Sequence, residues 1–196
     1  MPVYDLPNLR NIALIGHAGS GKTSLAEAML HKTGATNRLG SVTDGTSILD
    51  FADDEKEASH SIDSAMCYVT HQGKHINIVD TPGGTDFCGQ AVASLAGVET
   101  GILVLSASAG IEVNSRKMME RAAAYGLARM IVINKIDSEN VNIEELVDTV
   151  KEFFGPACVP INLPTGKGSS VIDCTGKAEG TPDFGDVAAA HEAALE

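Results

Sequence analysis

The stretch "NIALIGHAGSGKTSLAEAMLHK", residues 11–32, decides the fold. "NIALIG" (11–16) is a short apolar run that ends at glycine, and "KTSLAEAMLHK" (22–32) carries Leu25, Ala28 and Met29 on one helical face. Between them "GHAGSGKT", Gly16 to Thr23, fits GxxxxGK[ST], so the order is strand, glycine loop, helix. Glycines let the backbone fold tightly enough to aim successive N–H groups inward, and a helix N-terminus adds partial positive charge. A polyphosphate is therefore expected against His17, Ala18, Gly19, Ser20, Gly21 and Ser24, with Lys22 reaching its β and γ phosphates. Thr23 would offer its hydroxyl to Mg²⁺, which keeps most of its shell as water and phosphate oxygen.

Downstream, "AMCYVTHQGKHINIVD" reads as a hairpin that turns at Gln72-Gly73 and ends at Asp80. Asp80, in "DTPGG", stands where a carboxylate would reach the same Mg²⁺ through water, and Gly83 would give its N–H to the γ-phosphate. "TGILVLSA" and "ARMIVINK" are further apolar runs of buried-strand length, each followed by helix-patterned sequence. A helix over about 142–154 opens on a capping box at Asn142 and Glu145, with Leu146, Val147, Val150 and Phe154 on one side. The alternation predicts an α/β fold of three layers, the P-loop NTPase type, with a mostly parallel sheet and helices on both faces. From Gly34 to Ile62 no period is sustained, which predicts a mobile functional loop or partial disorder over about 34–62.

"NKID", Asn134 to Asp137, closes the strand "ARMIVI". An Asp137 carboxylate there accepts two hydrogen bonds from the guanine N1–H and amine, whereas adenine would leave it unpaired. Such polar pairing rejects the wrong base by roughly 10⁴-fold or more. Asn134 would brace the loop, and the Lys135 stem would lie against base and sugar. The motifs together predict binding of GTP and GDP. A P-loop kinase that uses ATP is the more remote alternative.

Composition narrows the rest. At 196 residues and 43% hydrophobic content the chain buries one main core with room for a small appendage. A net charge of −12 makes a poor free-standing binder of nucleic acid, so no direct DNA binding is expected, although a local contact with a ribonucleoprotein is compatible. Four cysteines without CxxC, and no signal peptide in "MPVYDLPNLRN", predict a cytoplasmic protein with reduced thiols, each a small buried hydrophobe. No apolar stretch approaches the roughly 18–20 residues of a membrane span, so a soluble monomer without a membrane partner is expected.

From about Asn11 to Leu163 the chain resembles the translational GTPases, within them the elongation factor G type and its less typical paralogues. The resemblance rests on "GHAGSGKTS", "DEKEASHSIDSA", "INIVDTPGGTDF", "GVETGILVLSASAGIEVNS" and "VINKID". It implies GTP hydrolysis coupled to work on the ribosome, and further domains after the nucleotide-binding one. It also implies a domain over 1–163, with 164–196 the truncated start of an inserted subdomain at "GKGSSVIDC". The family's late Ser-Ala motif is not found after Asp137, so the base site is expected to be incomplete. In the mobile loop the family has Arg-Gly-Ile-Thr, whose threonine holds Mg²⁺; here "ASHS" replaces it and Ser61 takes the threonine's place, unless it is a solvated loop residue. His17 matches a phosphate-loop histidine with a structural role, and Gly19 stands where the family often has Asp, so no further monovalent cation site is implied.

The family's residue after DTPG is a histidine that positions the attacking water, and here it is Gly84. Losing such a group slows chemistry by roughly 10² to 10⁴-fold. Three accounts follow: a partner supplies the function, His60 substitutes for it, or backbone, Lys22 and Mg²⁺ suffice for slow turnover. A nucleotide-sensing module with little or no hydrolysis is the alternative of a different class.

Overall fold

The computed structural model describes residues 4–58 and 60–195; the first three residues, Ser59 of "ASHS" and Glu196 lie outside them. The chain forms two units, one of Met1–Leu105 with Ile111–Asn134, the other of Ser106–Gly110 with Lys135–Glu196.

The first unit is built on strands β1 (Leu9–Ile15), β2 (Ala65–His71), β3 (Lys74–Asp80), β4 (Thr100–Ser106) and β5 (Ala128–Asn134), in the order β2-β3-β1-β4-β5. Strand β1 runs parallel to both β3 and β4, and the hairpin partner β2 runs antiparallel to β3. That hairpin turns on Gln72 and Gly73 with φ of 47° and 76°, the two positive values that a type I′ turn demands. Parallel register sets Leu14 opposite both Asp80 and Ile102. The loops that follow β1 and β3 therefore leave the same edge of the sheet side by side, where ligands of such sheets bind.

Helices α1 (Lys22–Lys32), α3 (Cys88–Leu95) and α4 (Val113–Ala124) cover the sheet, and α2 (Asp53–Ala58) precedes β2. On one face Leu14 packs with Ala26 and Leu30 of α1 and with Val69, Ile78, Ile102 and Val104. Ile15, next along β1, turns to the other face, where the bare Gly101 admits Ile15, Leu95 of α3 and Ala122 of α4. The buried stripe of α1 differs from the apolar count made on the sequence. Ala28 is exposed and Leu25 and Met29 are half-buried, while Lys22, Thr23, Ala26, Glu27 and Leu30 are buried. Three of those five are polar, and a hydrophobicity pattern does not register them.

The aperiodic segment 34–62 contains α2 and is organised by buried acids rather than by an apolar stripe. Glu27, at 0% exposure, accepts from Ser47 Oγ at 2.8 Å and Ile48 N at 2.6 Å. Glu55 Oε1 accepts from Ile62 N at 2.9 Å and Asp63 N at 3.1 Å, and its other oxygen accepts from Ala52 N. Leu49 adds one apolar anchor in the α1 core.

In the second unit, α5 (Ile143–Phe154) starts at Asn142, whose side chain accepts from Glu145 N at 3.2 Å and donates to the Glu145 carboxylate. The turn-rich stretch after it forms a hairpin, β6 (Asn162–Thr165) and β7 (Ser170–Asp173), and helix α6 (Val187–Leu195) follows. Leu163, Cys174, Val187 and Ala190 make its core. Of the cysteines only Cys174 is buried; Cys67, Cys88 and Cys158 are half-buried. Among the described residues no helix is long and apolar enough to cross a membrane.

Removing the Glu27 carboxylate leaves the buried Ser47 hydroxyl and Ile48 N–H without an acceptor. Glu27→Ala is expected to destabilise the protein by about 1–3 kcal/mol and to speed proteolysis within 34–62, whereas Glu27→Gln, which keeps an acceptor, should retain most of the wild-type resistance. Limited proteolysis with a denaturant titration reads both effects.

Candidate functional site

The loop between β1 and α1 folds around its own lysine. Lys22 Nζ donates to the carbonyls of Gly16 at 3.2 Å and His17 at 2.9 Å. Gly21 is left-handed at φ 94°, and a Cβ there would collide with Asn134 Nδ2, which donates to Ser20 O at 3.0 Å. Asn134 thus braces the loop from the end of β5. Gly21 also precedes α1, whose first turn holds no acid and has no side-chain cap among the described residues. An anion placed against the leading amides of this eleven-residue helix would be favoured.

Beside this loop four side chains form a chain of short contacts. Thr23 Oγ1 donates to Asp80 Oδ2 at 2.6 Å, and Ser61 Oγ donates to Asp50 Oδ1 at 2.6 Å. The two hydroxyl oxygens are 3.2 Å apart. Each hydroxyl has one proton, and each proton is drawn to a carboxylate, so lone pairs face the space between the oxygens. Adjacent ligands on an octahedral Mg²⁺ at about 2.1 Å lie about 3 Å apart. Asp80 Oδ1 and Asp50 Oδ2 are buried with no hydrogen-bond partner among the described residues. Hard oxygen donors with uncompensated negative charge fit a divalent cation. Among the described residues no group of three or more His, Cys, Asp or Glu is placed to hold a metal ion.

The electrostatics record the same excess. Asp80, 1% exposed, has its carboxyl pushed up to about 6, by burial first and then by Asp50 and Glu55, against the Thr23 bond and Lys22. Asp50 is raised chiefly by burial, with the Ser61 bond opposing. Burial lowers the Lys22 ammonium, and Asp80 and Glu112 partly restore it. Asp50 was not among the residues singled out from the sequence, since an acid in an aperiodic acidic stretch reads as solvated.

The segment after β3 is fastened by Thr81 Oγ1, which donates to Leu14 O at 2.7 Å, and its two glycines differ in kind. A Cβ on Gly83 would stand 2.5 Å from both Ala18 N and Lys22 Nζ, so only glycine fits against the loop. Gly84 has φ −70° and ψ 143°, open to any residue, and a Cβ there meets Phe87 at 3.1 Å. The backbone does not require glycine at 84. His60 is exposed, with its ring centroid 6.5 Å from that of Phe87. His17 Nε2 lies 3.3 Å from Glu112 Oε1. Lys135 and Asp137 belong to the second unit, where Lys135 has φ 59° and its carbonyl accepts from Ser138 N at 3.2 Å. Positive φ at a non-glycine residue marks a constrained turn of the sort found at binding loops.

The sequence model of the elongation factor Tu GTP binding domain matches residues 7–193. An elongation factor G of Dehalococcoides mccartyi is 33% identical over 163 residues, which cover 83% of this chain and 24% of that protein. An elongation factor G-like protein of Mycobacterium tuberculosis is 34% identical over 160 residues, 82% of this chain and 22% of that protein. A crystal structure of a Thermus thermophilus protein superposes with a TM-score of 0.83 at 30% identity, over 93% of this chain and 30% of that one. The chain thus spans about a quarter of the length of the curated relatives it matches.

Asp80 binds its proton more tightly when folded, at about 6, than at its ordinary 3.8. The folded protein therefore takes up protons in that window, and metal-free stability should rise as pH falls from about 7 to about 4, by up to about 3 kcal/mol. Asp80→Asn should flatten that dependence. Mg²⁺, which favours the ionised carboxyl, should raise the melting temperature more at about pH 7.5 than at about pH 5; thermal melts at both pH values check the two expectations.

Proposed function

Because the chain belongs to the family of elongation factor Tu GTP binding domains, we propose that it is the GTP-binding and GTP-hydrolysing domain of an elongation factor G-like translation factor, a switch read by the ribosome in the cytoplasm. The observation that carries this reading is the meeting of Lys22, Thr23, Ser61 and Asp80 beside an uncapped helix start. Residues 17–24 would cradle the phosphates, and Lys22 would leave the carbonyls of Gly16 and His17 for the β and γ groups. Thr23 and Ser61 would hold Mg²⁺ directly, with Asp80 and Asp50 accepting from its waters. The bound ion would neutralise and orient the phosphate oxygens. Asn134, Lys135 and Asp137 would take guanine, and the resemblance carries their roles. The domain reading remains 1–163 with 164–196 as the start of an inserted subdomain.

Intrinsic hydrolysis is proposed to be slow, because no side chain at 84 meets the attacking water. The gap at Gly84 leaves His60 as a second account. Its ring stands beside Phe87, which also meets the Cβ position of Gly84, one residue from the Ser61 hydroxyl. A nucleotide-sensing module with little or no hydrolysis, acting by occupancy, shares the same geometry.

Single-turnover GTP hydrolysis, with and without ribosomes, separates these accounts. Partner dependence predicts a ribosome-stimulated rate, and equal rates would contradict it. Gly84→His, which the backbone admits, should raise the free rate at least roughly tenfold if the missing imidazole limits turnover; no rise means that it does not. If His60 supplies the group, His60→Ala lowers the free rate while GDP affinity holds.

A further inference from the structure

The loop of Lys135 to Ser138 packs against the turn between β6 and β7. Lys135 takes φ 59° and its carbonyl accepts from Ser138 N at 3.2 Å, so Ile136 and Asp137 sit at the centre of a tight turn of their own. Asp137 is exposed and Ile136 half-buried, so side-chain packing does little to fix them. Gly168 comes close to their backbone: a carbon added to it would collide with Ile136 O and stand 3.4 Å from Asp137 N. Both sides of this contact are main chain, and neither can step aside as a long side chain would.

One carboxylate holds the turn that Gly168 belongs to. Gly166, Lys167 and Gly168 have φ of 63°, 59° and 77°, three left-handed residues in succession. For Lys167 this conformation is unfavourable on its own. It is offset by the N–H groups that it aligns: those of Lys167 and Gly168 donate to Asp183 Oδ1 at 3.0 Å and Oδ2 at 2.9 Å. Asp183 is anchored in turn, since its own N–H donates to Pro164 O at 2.8 Å and Thr165 Oγ1 donates to Thr181 O at 2.8 Å. One side chain thus starts a series of contacts that ends on the backbone of Asp137.

We propose that Asp183 is a specificity-determining positioning residue: through the amides of Lys167 and Gly168 it keeps this turn against Ile136 and Asp137, and so fixes the Asp137 carboxylate for two hydrogen bonds to the guanine edge. It touches no ligand. This role rests on the guanine-nucleotide reading above. Two parallel bonds demand orientation as well as reach. A turn released from Asp183 lets the Asp137 backbone tilt, which costs the second bond first. Guanine offers an N1–H and an exocyclic amine, whereas hypoxanthine offers the N1–H alone, so the preference for GDP over inosine diphosphate reports that second bond. Phosphate contacts are common to both nucleotides and cancel in the ratio.

The test is the affinity of the whole chain, with Mg²⁺, for GDP and for inosine diphosphate, in wild type, Asp183→Ala and Asp183→Asn. Asp183→Ala is expected to weaken GDP about 10-fold or more and inosine diphosphate no more than about threefold. Asp183→Asn, which keeps one acceptor, should fall between. Gly168→Ala, which disturbs the same contact from its other side, should lower the preference likewise. A merely structural role would weaken both nucleotides together, and an unchanged or larger preference overturns the proposal. Wild-type protein that binds neither nucleotide, or both equally, overturns the underlying reading instead. Should no variant fold, hydrogen exchange in wild type decides. Coupling is reciprocal, so the Lys167 and Gly168 amides should exchange at least about threefold more slowly in the GDP complex than in the inosine diphosphate complex; equal exchange in both refutes the role.

Discussion

The structure depends on keeping a carboxylate buried at the end of β3 in the presence of other acids. Asp80 has Thr23, Lys22, Asp50 and Glu55 acting on it, and burial outweighs the stabilising groups enough to raise its carboxyl to about 6. Folding alone gains nothing from such a group, since isolated buried charge is costly and natural sites retain it where a ligand offsets the cost. Parallel register then does the placing. With Leu14 opposite Asp80, the glycine loop after β1 and the acid that ends β3 share one edge without any contribution from side-chain choice.

Around that edge, hydrogen bonds rather than apolar contacts fix the irregular segments. Glu27, Glu55 and Asp50 each bind across 34–62, and Asn114 binds the segment after β3. These bonds run to backbone amides, carbonyls and hydroxyls, so the segments around that edge are held by polar partners.

Much of this was legible in the sequence, and what was missed follows from particular residues. Gln72-Gly73 announces a type I′ turn because both positions need positive φ, and Asn142 with Glu145 announces a helix start, because these are local rules satisfied within four residues. Strand runs such as "NIALIG" and "TGILVLSA" are apolar throughout because both their faces are covered. The buried face of α1 escaped because Lys22, Thr23 and Glu27 are buried by partners up to 57 residues away, as in the Thr23–Asp80 bond. Asp50 and Asn114 escaped for the same reason: their partners, Ser61 and Gly83, are set by tertiary placement. The glycines at 83 and 84 look alike in sequence, yet only the first is demanded by close approach. Glycine at 84 is therefore not a structural necessity.

The central claim is that the loop of residues 17–24 and the acids beside it form a guanine-nucleotide site that uses Lys22 for phosphate and a divalent cation for charge balance. Calorimetric titration of the chain with GDP and with ADP, in Mg²⁺ and in chelator, tests it most directly. The account predicts one GDP site that tightens with Mg²⁺, no comparable ADP binding, and loss of the GDP signal in Lys22→Ala. Absence of GDP binding in Mg²⁺, or ADP bound as tightly as GDP, would contradict it.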